Sequence, residues 1–523
     1  MGRIKMQNRY YFIYFVLIII GASLAGGVIM FKRQPSIQNS HSLLRVAFPL
    51  DRTVTSYEPT NISIAAEYIF LENVFSPLVE MSESGAITPG VAETIRWDGS
   101  KLILTIRKDL KTKSGQAITS EDVLFSLKRL LVLTGNTHGN FKELVCDGID
   151  LKSVEQDCPG LRLERDLIVL DAGKRKTFLL PMLAAIDFAI VPKKSVNPKT
   201  LKIEDYSETS GTYYVVKDHG NGRIDLKVNP YHYHYSQNIA QKVELIPYTA
   251  KTNGNSLEAL KNNEVDLVTT VDVKKADEQI PFVQSNEIFE NHLTQKIRLH
   301  LLVFTEKGIK NLTKDERIYI SQKVRAAFSK IYGQSLGFEP RNEFFPSLGE
   351  GGLSKDQKHL VETFNKQSGI NPNKKFRLGL MRRGGIEPWS IPIREAIPEA
   401  ETYFEDNVPD LKKNLSEEDY PEAFIVSTDT GFMEDISLIS YSLNAGFLGL
   451  SKSDRLRWIS DYMATSDKNT RLTKLKELHF RALTNPWIAP LVTSPYAATV
   501  RKPWKIKLSD LYANNPLWLI HIP

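Results

Sequence analysis

The chain has 523 residues, 42% of them hydrophobic and 24% charged, with a formal net charge of +6. That length exceeds a single core and predicts two or three domains, and the balance is that of a globular protein rather than a disordered or fibrous one. Five units of the positive excess belong to Arg3, Lys5, Arg9, Lys32 and Arg33, where no acid occurs. The rest is therefore nearly neutral, which excludes a general basic field for nucleic acid.

Those five charges flank Tyr10–Phe31, an uncharged segment long enough to span a bilayer. It reads either as a signal peptide, with Ser23-Leu24-Ala25 offering the small residues of a cleavage site, or as a retained signal anchor, since Val28–Phe31 prolong the apolar run. Positive residues on both sides give the N-terminus only a mild inside preference. Either outcome exports the body. Gln34–Ser42 is a short polar linker, and Leu44–Ala47 starts the first strand.

In Thr88–Leu131, Trp97-Asp98-Gly99-Ser100 predicts a turn between two apolar-rich runs. Leu102, Leu104 and Ile106 alternate with Ile103, Thr105 and Arg107, which is strand spacing. Thr119 and Asp122 match a capping box, and Val123, Leu124, Leu127, Leu130 and Leu131 follow at helical spacing. Cys146 and Cys158 are the only cysteines, in a loop with Asp147-Gly148 and Pro159-Gly160. In an exported protein this pair favours a disulfide; the alternative is two free buried thiols.

Asp187–Val191 is expected as a strand returning to the first sheet, and strand-rich sequence runs on to about Glu290. Arg298–Phe304, the helix Lys314–Ile331, Phe376–Met381, Ala423–Val426 and the helices Ser453–Ala464 and Asn469–Ala482 form a mixed α/β stretch. Ala489–Val500 and Trp504–Leu519 are expected to rejoin the first domain.

Chemical motifs are scarce. No GxxxxGK, GxSxG or HExxH run occurs, and Gly349–Gly352 reads as a loop. His232 and His234 could share a strand face as metal ligands, or belong to a tyrosine-rich surface within Tyr231–Tyr235. Asp147, Asp150 and Asp157 lack the glycine and terminal glutamate of a calcium loop. Arg382–Gly385 is a basic turn exposed to solvent. No metal, cofactor or catalytic residue is expected.

As a string, Thr88–Leu131 resembles the signature of the family 5 extracytoplasmic solute-binding proteins, the oligopeptide, dipeptide and nickel binders of ABC importers. Pro89, Ala92-Glu93, Leu104, Ile106-Arg107-Lys108, Gly115, Thr119, Glu121-Asp122-Val123 and Phe125-Ser126 sit in register with it. Three further landmarks follow in the family's order: Ser210–Tyr214 with Asn229-Pro230-Tyr231, Leu257–Asp266, and Lys323–Ser329. Ordered landmarks carry far more weight than any one short motif.

The resemblance implies an α/β, two-lobed periplasmic-binding-protein-like fold of type II with three domains. Residues 1–33 would be the signal peptide or anchor and 34–42 the linker. Residues 43–57, 188–290 and 489–523 would form the core of lobe 1, 58–187 its inserted subdomain, and 291–488 lobe 2. It implies a monomeric binding protein, not an enzyme, that captures a peptide or similar small solute by hinge closure. Its partners would be ABC permease subunits and, through the N-terminal segment, the inner membrane, with no nucleic acid. No cysteine adjoins that segment, so the lipoprotein attachment of many relatives has no counterpart. The alternative is a membrane-tethered sensor or scaffold on the same fold.

In peptide-binding relatives an aspartate of a "G-W-x-x-D-Y" stretch pairs with the peptide's terminal amine. Gly431 occupies that position here, Thr428 that of the tryptophan, and Phe432 that of the following aromatic. Asp429 lies two residues early. The expected ligand site is therefore Asp429 with Thr428, Thr430, Gly431 and Phe432, the alternative for Asp429 being a turn or helix cap.

Overall fold

The computed structural model describes residues 42–523 apart from 50–56, 63–64, 83–85, 135–140, 174–177, 249–255, 271–282, 284–285, 295–297, 336, 346–350, 382–389, 406–415, 417, 430–448 and 507–515. Among the described residues no helix is long and apolar enough to cross a membrane; Tyr10–Phe31 lies outside them, as does Arg382–Gly385.

Strand β1 (Leu43–Phe48) buries Leu44, Val46 and Phe48 at alternate positions. Helix α1 (Ala65–Val74) and the hairpin β2 (Val79–Met81) and β3 (Ile87–Pro89) follow. The expected turn is tighter than its four residues suggest. Trp97 and Asp98 still belong to β4 (Ala92–Asp98), and Gly99, at φ +59°, reverses the chain into β5 (Lys101–Ile106). The capping box is present: Thr119 N–H donates to Asp122 Oδ2 at 2.9 Å, and Asp122 N–H to Thr119 Oγ1 at 3.3 Å. Helix α2 (Ser120–Thr134) starts there and packs Val123, Leu127, Leu130 and Leu131 inward. Helix α3 (Phe141–Val145), β6 (Leu161–Glu164) and β7 (Leu167–Asp171) complete a sheet of order β4-β5-β7-β6, and α4 (Leu179–Leu183) follows.

Cys146 and Cys158 are bonded, both buried, in the loop joining α3 to β6. Mass analysis of protein from the envelope fraction should lose two hydrogens' mass without reductant relative to the reduced form. Replacing both residues with Ser should lower stability by about 3 kcal/mol in a denaturant titration. Free thiols, or no change in midpoint, would contradict the bridge.

Asp187–Val191 is not a strand. Ile186–Phe188 forms a 3-10 turn, and only Ile190 makes an isolated bridge, to Ser76. Residues 188–191 are all buried. Their backbone groups are met singly: Ile190 N–H by the Ser76 carbonyl at 2.9 Å, and Val191 N–H by Ser126 Oγ at 2.9 Å.

Next come β8 (Tyr213–Asp218), β9 (Ile224–Val228), β10 (Lys242–Pro247), α5 (Ser256–Lys261), β11 (Leu267–Thr270) and β12 (Phe289–Leu293). Then β13 (Arg298–Phe304) leads to α6 (Glu306–Asn311), α7 (Lys314–Tyr332), β14 (Glu339–Pro340), α8 (Lys355–Asn365) and β15 (Phe376–Met381). Helix α9 (Ser390–Ala396), β16 (Ala400–Glu405), β17 (Ala423–Asp429), α10 (Lys452–Ala464), α11 (Lys468–Thr484) and β18 (Ile488–Ser494) continue it. The chain ends with β19 (Ala497–Arg501), β20 (Lys505–Ile506) and β21 (Ile520–His521).

Two large sheets organise these strands, one of order β12-β19-β11-β1-β10-β9-β8 and one of order β14-β18-β13-β17-β15-β16. Ala489–Ser494, expected in the first domain, therefore belongs to the second sheet, and the return to the first begins at β19. Strand β13 is central and buried on both faces. Leu299, Leu301 and Val303 pack with Phe344, Phe345 and Leu475 on one side, and Leu302 and Phe304 pack with Val324 and Phe328 of α7 on the other.

Candidate functional site

The signature residues build a clamp rather than a pocket. Asp122 Oδ1 accepts from Lys193 N–H at 2.9 Å, and Ser126 Oγ bonds both the amide and the carbonyl of Val191, so α2 is fastened to the segment Val191–Lys193. The other landmarks behave alike. Asp266 receives Arg45 Nε at 2.9 Å and its NH2 at 2.7 Å, while Asn263, at φ +62°, makes the preceding turn. A Cβ on Gly211 would lie 2.3 Å from the Val74 carbonyl carbon, so only glycine allows α1 to approach. The family pattern thus records how the parts are joined.

The chain passes between the two large sheets after β12 and again after β18. These crossings are tied together: Thr294 N–H donates to the Tyr496 carbonyl at 3.0 Å, and Tyr496 N–H to Thr294 Oγ1 at 2.8 Å. Just beyond them, the antiparallel register sets Arg298 opposite Asp429 on one side and opposite Ser494 on the other. Arg298 is 6% exposed, its guanidinium 5.2 Å from the Tyr496 ring centre, a cation–π distance. Ser494 Oγ is buried and has no hydrogen-bond partner among the described residues. An unmet buried hydroxyl costs about 1–3 kcal/mol, which a ligand group bonding it would recover.

Of the expected ligand residues, Asp429 ends β17 and Thr428 is paired with Leu299, so Asp429 sits at a strand end. Thr430, Gly431 and Phe432 lie outside the described residues. Arg298, Ser494 and Tyr496 were not singled out by the sequence. Arg298 and Ser494 read as ordinary strand termini, and only sheet register places them beside Asp429.

The metal alternative for His232 and His234 finds both rings engaged elsewhere. His232 is buried, with Nδ1 accepting the His234 amide at 3.1 Å, so its proton lies on Nε2, 2.9 Å from Ser76 Oγ. Burial, with His234 and Arg107 adding positive charge, holds its pKa well below the usual imidazole value. His234 Nε2 lies 2.9 Å from a Glu80 oxygen, and its ring stacks on Trp518 at 3.6 Å. Asp150 is bonded by Lys142 at 2.7 Å. Among the described residues no group of three or more His, Cys, Asp or Glu could hold a metal ion.

The model of the "Bacterial extracellular solute-binding proteins, family 5 Middle" matches residues 86–332. No curated protein matches by sequence. Among solved structures, the chain is similar to Haemophilus influenzae OppA in complex with RPPGFSPFR, at 15% identity and a TM-score of 0.70, over 92% of this chain and 99% of that one. It is likewise similar to the Escherichia coli murein tripeptide binding protein MppA, at 14%, 0.71, 92% and 99%. For Staphylococcus aureus NikA in complex with Ni(L-His)2 the values are 14%, 0.67, 92% and 100%. At such identities the likeness establishes the fold alone.

Proposed function

We propose that the chain acts as a family 5 bacterial extracellular solute-binding protein that captures a peptide or similar small solute outside the cytoplasm and presents it to the permease of an ABC importer. The tied crossings at Thr294 and Tyr496 serve as the hinge. A ligand touching both lobes shifts the open–closed equilibrium, and the permease reads the closed form. Asp429 holds a free amine, with Thr428, Thr430, Gly431 and Phe432 around it. The observation that carries this reading is the convergence of Arg298, Asp429 and the unmet Ser494 hydroxyl beside the hinge. The protein acts as a monomer, and Tyr10–Phe31 directs its export whether cleaved or retained.

Thermal-shift screening of a short-peptide library on the purified protein, followed by X-ray scattering on each hit, tests both parts. A hit should raise the melting temperature, because it binds the folded form alone, and should shrink the radius of gyration. Stabilisation without compaction would contradict hinge closure.

A second reading, a tethered sensor or scaffold that closes without ligand, is favoured by one contact. The Phe178 ring, before α4, lies 5.7 Å from Tyr462 of α10 and 5.3 Å below the Arg471 guanidinium of α11, with all three residues buried. An apolar contact of this kind holds the two sides together in the absence of solute. A library without hits, with a compact radius throughout, would move the weight to it.

A further inference from the structure

Lobe 1 carries a lysine–tyrosine surface that the solute-binding role does not use. Cross-strand register aligns Tyr214 of β8, Lys227 of β9 and Lys242 of β10 in one row. Lys113 Nζ lies 5.4 Å from the Tyr214 ring centre, and Lys111 Nζ lies 5.7 Å from that of Tyr231. Lys113, Lys227, Lys242 and Tyr231 are exposed. Among the described residues none of the four lysines forms an ion pair. Of the acids along the same strands, Asp225 and Glu244 are occupied by His219 and Arg223, and Asp218, at the far end of β8, accepts from the Gly220 amide. Of the acids in the neighbouring loops, Glu208 accepts from Ser114 Oγ and Asp109 is exposed. Because the body as a whole is nearly neutral, this cluster is a local excess and not a share of a general positive field.

The tether enters at the same end of the sheet. The Tyr248 amide bonds the Phe48 carbonyl at 2.8 Å, which aligns the last residues of the neighbouring strands β1 and β10. Arg45 of β1, its pKa raised first by the Asp266 hydrogen bond, also lies near the Glu244 carboxylate of β10, whose charge helps raise it. The two strands therefore run in one direction, and their starts, at Leu44 and Val243, lie together. The nine residues Gln34–Ser42 separate Leu43 from the apolar segment and its flanking Arg33, and a chain of that length reaches at most about 30 Å. Tyrosine rings paired with lysines suit a bilayer interface, where the ring body meets the headgroup boundary and the ammonium meets lipid phosphate.

We propose that Lys111, Lys113, Tyr214, Lys227, Tyr231 and Lys242 form a docking surface for the anionic phospholipid headgroups of the membrane in which Tyr10–Phe31 resides. The surface holds lobe 1 down and leaves lobe 2 to open and close. The proposal rests on the exported, membrane-adjacent reading of that segment and not on solute binding.

The test uses the full chain reconstituted into vesicles, with a fluorophore on Gln237→Cys, an exposed position in the loop leading to Lys242. In vesicles containing phosphatidylglycerol, quenching by neutral acrylamide should fall about two-fold or more relative to pure phosphatidylcholine, and high salt should restore it. A label on Leu456→Cys of α10 should show no such protection. Reversing Lys113, Lys227 and Lys242 to Glu should abolish the protection at Gln237, and neutralising them to Gln should weaken it. Both variants should retain the disulfide and their thermal response to solute, since the side chains are exposed. Equal quenching in the two vesicles, protection that survives charge reversal, or equal protection at Leu456 would overturn the proposal. So would protection by soluble glycerol phosphate, or protection that depends on protein concentration, because the occupant would then be a free anion or a second copy.

Discussion

Arg129→Met should destabilise the protein by about 3–5 kcal/mol in a denaturant titration, the range for removing one partner of a buried ion pair. Arg129 of α2 is 1% exposed; its NH2 bonds Glu58 Oε2, and its Nε donates to the Leu201 carbonyl at 2.7 Å. Leu201 is held at φ +57°, so the guanidinium also fixes a loop that few side chains would adopt unaided. Without Arg129, Glu58 is left as a mostly buried carboxylate with no cation. It also accepts from the Thr60 amide at 3.4 Å, so the turn that precedes α1 loosens with it. The double variant Arg129→Met with Glu58→Gln should recover much of the loss, because replacing a whole buried pair by groups of similar volume is often nearly neutral. A loss in the single variant below about 1 kcal/mol, or no recovery in the double, would mean that the pair contributes packing and not charge.

Asp429→Asn should weaken a free-amine peptide about thirty-fold or more while scarcely affecting the same peptide acetylated at its N-terminus. Removing the charged partner of a buried amine costs about 2–5 kcal/mol, and every 1.4 kcal/mol is about tenfold. The register adds a second effect. Arg298 is the cross-strand neighbour of Asp429, so the variant removes a negative charge from a position opposite a cation. The loss should therefore fall at the upper end of that range and shrink as salt is added. Isothermal titration with the two peptides at two ionic strengths reads both effects. Equal losses for both peptides would make Asp429 a shaper of the loop, and no loss for either would remove it from the site.

What the sequence determined by itself is what short-range periodicity and capping chemistry can carry. Arg298–Phe304 and Phe376–Met381 are strands with the expected ends, because a short apolar run of six or seven residues is a local signal. The helix expected from Lys314 starts there because Thr313 and Glu316 cap it reciprocally. Ordered landmarks carried the fold for a related reason: Asp122, Asp266 and Gly211 each fix a joint between parts, and a joint tolerates few residue types. Tertiary structure alone decided that Asp187–Val191 is no strand, since Ser76 and Ser126 meet its backbone from segments distant in sequence. It also decided that Ile488–Ser494 joins the second sheet, though its apolar composition would suit either. The proposed ligand site was the least legible part. Arg298, Asp429 and Ser494 become neighbours only through the pairing of β13 with β17 and β18, and register is a property of three strands that none of them carries alone.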